Sequence, residues 1–423
     1  MNRAAPASLG IYRLATAAAA LAAPAWLRDR VRHGKEDPAR WRERLGHGDL
    51  ARPDGDLVWL HGVSVGESLS LLPLVERLRA DAPDRTILVT SGTRASAEIL
   101  AGRLDASVLH QFAPLDTPGA TRRFLDHWRP GLGVLVESEL WPNLILGAKA
   151  RGVRLALVSA RLSERSLAGW RRAPAAARAV LGAFDLILAR DAVVAGRLEV
   201  LGARVDGLAD LKFGAGPLPV DQRQLARARE SLGDRPVLLA ASTHPGEEAL
   251  LLQAFRAAAG CDRAVLILAP RHPDRGEAVK RLVLEAGLTV GRRGAGARPG
   301  DTAVHVADSV GELGLWYRLA GLAVVGGSLL KDSPGGHNPL EPARLGCPFI
   351  AGPEVSGWPV YRALEAADAT RRVTPEAVAG WFARAVDGDP SLNGMAARAA
   401  AFAEAGDRAA GAATDRVLAL LRP

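Results

Sequence analysis

Residues 57–68 read LVWLHGVSVGES: an apolar run that stops at a glycine and passes through hydroxyl and carboxylate residues into a stretch with helical spacing. Leu57–His61 is a strand in this reading, and Glu67–Asp81 is the helix after it. A strand that is apolar at nearly every position has both faces covered, as in a parallel sheet packed between helices.

The same alternation repeats on either side. TILVTS (Thr86–Ser91), GVLVES (Gly133–Ser138), RLALVSA (Arg154–Ala160) and LILAR (Leu186–Arg190) are further strands, separated by Ala/Arg/Leu stretches of helical spacing. GAGPLP (Gly214–Pro219) reads as a linker, after which the pattern restarts. Val237–Thr243, Ala264–Arg271, Thr302–Asp308, Leu322–Ser328 and Pro348–Pro353 are the strands of the second half, and the Ala-rich tail, about 395–422, is a last helix. The expected class is α/β: two doubly wound, Rossmann-like domains of similar size, joined near residue 215. Ligands of open α/β sheets sit beyond the carboxyl ends of the strands, and two such domains facing each other form a cleft there.

Composition agrees with a globular chain. Of 423 residues, 48% are hydrophobic and 24% charged, which excludes a disordered protein. Two cysteines, Cys261 and Cys347, make neither a disulfide framework nor a Cys-rich zinc site, which favours a reducing compartment. The formal charge is 54 − 46 = +8. Residues 1–50 carry nine Lys/Arg against five Asp/Glu, which is half of that surplus. No basic cluster interleaved with aromatics occurs elsewhere, so nucleic acid is not the expected partner. An anionic ligand or membrane surface suits the charge.

Ile11–Leu27 (IYRLATAAAALAAPAWL) is followed by Arg28, Arg30, Arg32 and Lys35. Three readings compete for it: a secretory signal, an amphipathic or buried helix, and a short membrane anchor. The basic flank opposes export of the downstream chain and favours a body on the cytoplasmic side.

Several strand ends carry groups suited to chemistry. In HGVSVGES, Gly62 and Gly66 suit a tight turn. Glu67 is either a carboxylate that favours the positive end of a helix or a general base able to take a proton from a hydroxyl. Glu137 and Glu139 leave another strand end, where one or both orient a base or merely cap the strand. Arg161 and Arg165 suit a phosphate or carboxylate, or a charged helix start. Lys212 stands just before the linker.

The second half is denser. Ser242-Thr-His244-Pro-Gly-Glu247-Glu248, Pro270-Arg271-His272, Gly311-Glu312-Leu313, Gly326-Gly-Ser328 and Gly335-Gly-His337-Asn338-Pro339-Leu340-Glu341 all follow strands. Glycines let a phosphate approach the backbone, and a Glu accepts hydrogen bonds from ribose hydroxyls. Such turns on consecutive strand ends point to a nucleotide. There is no G-x-G-x-x-G, P-loop or G-x-S-x-G pattern, and the histidines lack metal-ligand spacing.

Taken in order, HGVSVGES, ESELWPNLI, SARLSERS, AASTHPGEE, APRHPDR, VGGSL and GGHNPLEPA resemble the 3-deoxy-D-manno-octulosonic acid (Kdo) transferase family of Gram-negative bacteria. The resemblance runs from the Tyr-containing N-terminal helix to beyond residue 353. It implies a GT-B fold with an interdomain cleft and an N-terminal membrane-associated helix. The division would be a membrane segment at 1–50, an acceptor-binding domain at 51–215 and a domain binding the CMP-sugar donor at 216–423. It implies inverting transfer of Kdo from CMP-Kdo to a lipid A precursor (lipid IVA) in lipopolysaccharide biosynthesis, without metal or cofactor. The enzyme would sit at the cytoplasmic face of the inner membrane.

By matching position, Glu67 would be the base, and Glu137 and Lys212 would stabilise the transition state. Pro270 and Arg271, Gly311 to Leu313, and Asn338 to Glu341 would line the CMP site. Two departures stand out. Asp210 stands where the family usually has Asn and would pair with Lys212 or alter its reach, and Ser159 stands where Asn is common. The competing functions are a nucleotide-sugar epimerase of related fold and a non-catalytic, membrane-attached nucleotide-sugar binding protein.

Overall fold

The computed structural model describes residues 6–137, 140–258 and 262–421. The chain divides into two compact units, Met1–Ala215 with Gly406–Pro423, and Gly216–Ala405. The division after residue 215 coincides with the expected linker. Gly406–Pro423 group with the first unit, although the sequence pattern placed that stretch with the second. Residues 1–50 likewise group with the first unit rather than forming a segment apart.

The first unit is built on seven parallel strands: β1 (Leu57–His61), β2 (Thr86–Ser91), β3 (Leu109–Phe112), β4 (Leu132–Val136), β5 (Arg154–Ala160), β6 (Leu186–Ala189) and β7 (Gly207–Leu208). Their order is β3-β2-β1-β4-β5-β6-β7. Alternation explains the apolar runs. Leu57 and Trp59 of β1 pack into one cluster with Phe124 and Trp128, whereas Val58 and Leu60 pack into another with Leu71, Leu74 and Leu78. Each such side chain, fully buried, contributes about 1.5–3 kcal/mol. A Cβ on Gly133 would come within 2.9 Å of both Trp59 and Leu155, so the centre of β4 has room only for glycine.

The second unit repeats the plan with β8 (Val237–Thr243), β9 (Val265–Pro270), β10 (Val290–Arg292), β11 (Val304–Val306), β12 (Leu322–Val325), β13 (Phe349–Ala351) and β14 (Arg371–Arg372). Their order is β10-β11-β9-β8-β12-β13-β14, again all parallel. Strand order reverses direction between β1 and β4 in one sheet and between β8 and β12 in the other, and ligands of this architecture bind at such points.

Two differences from the sequence reading have local causes. The expected helix Glu67–Asp81 is two helices, Val65–Ser70 and Leu72–Asp81, because Pro73 in the first turn of the second has no N–H to carry the ladder through. The short edge strands β3, β7, β10 and β14 have no counterpart among the expected strands.

The N-terminal helix α1 (Ala7–Arg32) docks on the first unit through the Tyr12 hydroxyl, which donates to Asp116 at 2.8 Å, and through the Asn143 amide, which donates to Thr16 Oγ1 at 3.0 Å. Leu9, Ala23 and Leu27 are buried on its inner face. Ile11, Leu14 and Leu21 are 68, 74 and 87% exposed, and at helical periodicity they share the opposite face. Among the described residues no helix is long and apolar enough to cross a membrane.

Candidate functional site

In the first unit, β1 ends at His61, which is buried and bonded through Nδ1 to Thr90 Oγ1 at 2.9 Å. Burial first, and then Arg44, lower its pKa to about 3, so it is a neutral core residue. The chain then turns into α2 (Val65–Ser70). Ser64 is its N-cap, accepting from the backbone N–H of Glu67, and Ser64 Oγ donates back to Glu67 Oε1 at 2.9 Å. The two residues hold each other reciprocally, as in a capping box, but the carboxylate takes the cap's hydroxyl in place of its backbone N–H. Glu67 Oε2 accepts the Val63 N–H at 2.6 Å, and the side chain is buried. Each carboxylate oxygen keeps a second lone-pair position beyond these bonds. Gly62 is needed because a Cβ there would lie 3.0–3.1 Å from Glu67 C and Cβ. Gly66 has open space around it and plays no such part, contrary to expectation.

Glu137 follows β4, next to β1 in the sheet. It is buried and holds φ = +61°, an uncommon conformation for a non-glycine residue. Its Oε1 lies 2.7 Å from Lys212 Nζ and its Oε2 3.2 Å from an Arg161 guanidinium nitrogen. Burial pushes its pKa up, but Lys212 and Arg161 outweigh burial and hold it below the ordinary carboxylate value. Its companion Glu139 lies outside the described residues.

Lys212 is presented by the short turn Leu211–Ala215. Ser159, at φ = +55° where β5 bulges against β6, accepts the Leu211 N–H at 2.8 Å and pins that turn. Asp210 accepts the Lys212 backbone N–H at 3.0 Å, and the ammonium goes to Glu137. The departure at Asp210 therefore does not divert the lysine. Ser159, Arg161, Glu137 and Lys212 form one assembly. Arg165, from the same motif as Arg161, is exposed and takes no part in it.

In the second unit the glycine turns do something other than expected. Glu247 is fully buried and accepts four backbone N–H groups: His244 and Gly327 on Oε2, Ser328 and Leu329 on Oε1, all at 2.8–2.9 Å. The turn after β12 that suited a phosphate is already occupied by the protein's own carboxylate. Gly335 and Gly336 hold φ = +91° and +81°, and a Cβ on Gly335 would meet the Gly357 backbone at 2.8 Å, so this turn is closed by packing. Glu248 pairs with Arg275 at 2.6 Å and accepts from Thr243 Oγ1.

Arg271 leaves β9 exposed, one residue after the buried Pro270, and makes no ion pair among the described residues. Glu312 is held by Arg293 in a two-pronged pair at 2.6 and 3.0 Å and by Ser309. Arg293 first, then burial opposing it, leave Glu312 below its usual pKa. Gly311 holds φ = +82°, and the Glu312 carboxylate beside it is engaged within the protein. Asn338 accepts the Leu340 N–H at 3.1 Å and lies 3.5 Å from Glu341 Oε1, with Pro339 between them in the chain. Burial raises the pKa of Glu341, and its carboxyl retains most of its hydrogen-bonding capacity. Among the described residues no group of three or more His, Cys, Asp or Glu is placed to hold a metal. Cys261 lies outside the described residues, and Cys347 is buried and free.

A family model described as 3-deoxy-D-manno-octulosonic-acid transferase (kdotransferase) matches residues 39–215. The 3-deoxy-D-manno-octulosonic acid transferase of Bordetella pertussis is 38% identical over 310 residues, covering 70% of this chain and 71% of that protein. Among solved structures, a glycosyltransferase from Rickettsia africae aligns with a TM-score of 0.54 at 11% identity, over 88% of this chain and 100% of that one. The UDP-GlcNAc 2-epimerase of Neisseria meningitidis aligns at 0.56 and 12%, over 86% and 100%. At those identities the structural likenesses bear on the fold alone, that of two parallel-sheet domains of GT-B type.

Proposed function

This chain belongs to the Kdo transferase family, and from that premise we propose that it moves Kdo from CMP-Kdo to a hydroxyl of a lipid A precursor, with inversion and without a metal. The observation that carries the reading is the buried Glu137 clamped by Lys212 and Arg161 at the end of β4, beside the strand that delivers Glu67.

The acceptor hydroxyl attacks the anomeric carbon of Kdo as the bond to the CMP phosphate breaks. The hydroxyl proton passes to Glu67, whose two existing hydrogen bonds fix its orientation and leave lone pairs to receive it. Positive charge builds on the sugar as the leaving group departs, as in glycosyl transfer generally. The ionised Glu137 opposes that charge and holds Lys212 in position. Lys212 and Arg161 face the negative charge of the Kdo carboxylate and of the departing phosphate.

The donor side is assigned to Pro270, Arg271, the backbone of Gly311–Leu313, and Asn338–Glu341. Arg271 attracts phosphate, and Glu341 suits a ribose hydroxyl. The acceptor is acylated, and the first unit has an apolar cavity of about 400 Å³ beside α1, lined in part by Leu9, Tyr12, Leu140, Trp170 and Ala173, which suits an acyl chain. We place the protein at the cytoplasmic face of the inner membrane, lying on the surface through the outer face of α1 and the basic residues beyond it.

The test is transfer by the purified protein, with CMP-Kdo made in situ, tetraacylated precursor and EDTA, read by mass spectrometry of the lipid. A gain of one or more Kdo masses that disappears in Glu67→Ala supports the assignment. Product formation that persists in Glu67→Ala removes Glu67 as the base, and the absence of product from a folded, CMP-binding protein overturns the function.

A further inference from the structure

Three histidines gather near the strand ends of the second unit: His244 after β8, His272 after β9, and His337 in the glycine turn before Asn338. His244 Nε2 and His337 Nε2 are 2.9 Å apart, with ring planes 10° from parallel and centroids 5.1 Å apart. At those separations the rings meet edge to edge, nitrogen to nitrogen, and share one proton. His272 stands 6.2 Å from His244, ring to ring.

A contact of this kind limits charge. One Nε2 must donate and the other accept, so the neutral pair carries two protons and a singly charged pair three. A fourth proton would set two N–H groups against each other. The pair therefore stores one positive charge at most while it stays together.

The groups that face the pair are Glu247, Glu248, Arg271 and His272. Both carboxylates are engaged, Glu247 by four backbone N–H groups and Glu248 by Arg275 and Thr243. Arg271 is a fixed positive charge nearby. Burial first, then His244, Arg271 and His272, with Glu247 opposing, lowers the pKa of His337 to about 4, and burial also leads the lowering at His244. Without ligand, charging of the pair is disfavoured. An arriving phosphate dianion adds negative charge beside the pair and favours its charged form.

We propose that the His244–His337 pair takes up one proton when the phosphate of a cytidine nucleotide binds beside Arg271, so that the nucleotide is recognised partly through a charge the protein does not carry beforehand. This rests on the donor assignment above. The proton comes from solvent and settles on the free Nδ1 of the donating ring, and no covalent bond changes. Because binding raises the pair's pKa, uptake occurs in the window between the free and bound values, and affinity falls as pH rises through the bound value.

The experiment is titration calorimetry of CMP into the intact protein at pH 6.5, in MES and in Bis-Tris, whose ionisation heats differ. Uptake of about half to one proton per CMP is expected, with affinity rising up to tenfold per pH unit lowered. Cytidine, which lacks the phosphate, is expected to bind without uptake. His244→Asn and His337→Asn are each expected to bind CMP with that uptake removed. Any ionisation of CMP itself is common to wild type and variants and cancels in the comparison. Equal proton linkage for CMP and cytidine, or uptake retained in both variants, overturns the inference and leaves the donor site standing. Failure of the wild type to bind CMP overturns the donor assignment and this inference with it.

Discussion

Lys212 Nζ lies 2.7 Å from Glu137 Oε1, and the glutamate that receives it stands in a left-handed backbone conformation at φ = +61°. A non-glycine residue held there costs of order 1–3 kcal/mol and persists only where its surroundings enforce it. Here the enforcement comes from two cations on the carboxylate and from backbone bonds, the Glu137 N–H to Val158 O and the Arg161 N–H to Glu137 O. The arrangement fixes a buried negative charge, with its two counter-charges, one residue beyond the end of β4.

Glu137→Gln keeps the shape and removes the charge. Transfer is expected to fall about 10²–10³-fold, the usual loss when one preorganised electrostatic group is removed. The variant also tests stability against pH. Because the folded pKa of Glu137 is depressed, its contribution is present above the unfolded value, 4.5, and is lost as pH falls through the folded one. Thermal unfolding from pH 7 to pH 3 should show a gap between wild type and variant that closes at the acid end.

Ser159 holds the lysine's turn through one hydrogen bond from a residue at φ = +55°. Ser159→Ala leaves the Leu211 N–H unpaired, at a cost of about 1–3 kcal/mol in urea unfolding. Ser159→Asn should cost less, since asparagine tolerates this conformation and supplies an acceptor. A threefold or larger loss of transfer is expected in the alanine variant, through misplacement of Lys212.

Glu247→Gln replaces an acceptor of four N–H groups with a side chain half of which is a donor. Breaking a buried, fully satisfied charged network typically costs about 3–5 kcal/mol, to be measured by urea unfolding. CMP affinity should fall with it, because the loop from Gly327 to Leu329 is held by this carboxylate.

Replacing Ile11, Leu14 and Leu21 together with serine removes apolar surface that the fold leaves in water. At about 25 cal/mol per Å² the three account for a few kcal/mol of partitioning. Sedimentation with anionic vesicles should weaken by at least tenfold, with the melting temperature unchanged. Undiminished sedimentation would show that the outer face of α1 does not meet the membrane.

Four central strands, β1, β2, β5 and β8, run over the residues their apolar patterns predict, because both of their faces are covered and hydrophobicity alone marks them. The edge strands carry no such mark. Arg371 and Arg372 of β14 are both exposed, and β7 is the pair Gly207–Leu208, so backbone pairing alone makes them strands. The site divides in the same way. Which residues stand at strand ends is legible from strand-to-helix junctions. What each of them touches is not, because the partners lie far along the chain: Glu137 and Arg161 are 24 residues apart, and Glu247 and Gly327 are 80. The glycine-rich turn after β12 shows the limit of motif reading, since the turn does bind an anion, and the anion is Glu247.

The helix Ser391–Ala419 begins with Ala399 and Ala403 in a core of the second unit and ends with Ala413 and Val417 in a core of the first. Arg85 in the first unit donates to Leu421 O, 336 positions further on. During vectorial synthesis the two halves therefore mature in reverse order. The second unit is one continuous stretch and has all its residues once Ala405 has left the ribosome. The first, although made earlier, lacks two side chains of its core until Ala413 and Val417 emerge. A nascent chain halted between those points carries a finished second unit and an exposed apolar strip on the first, which is where a chaperone would be expected to engage it.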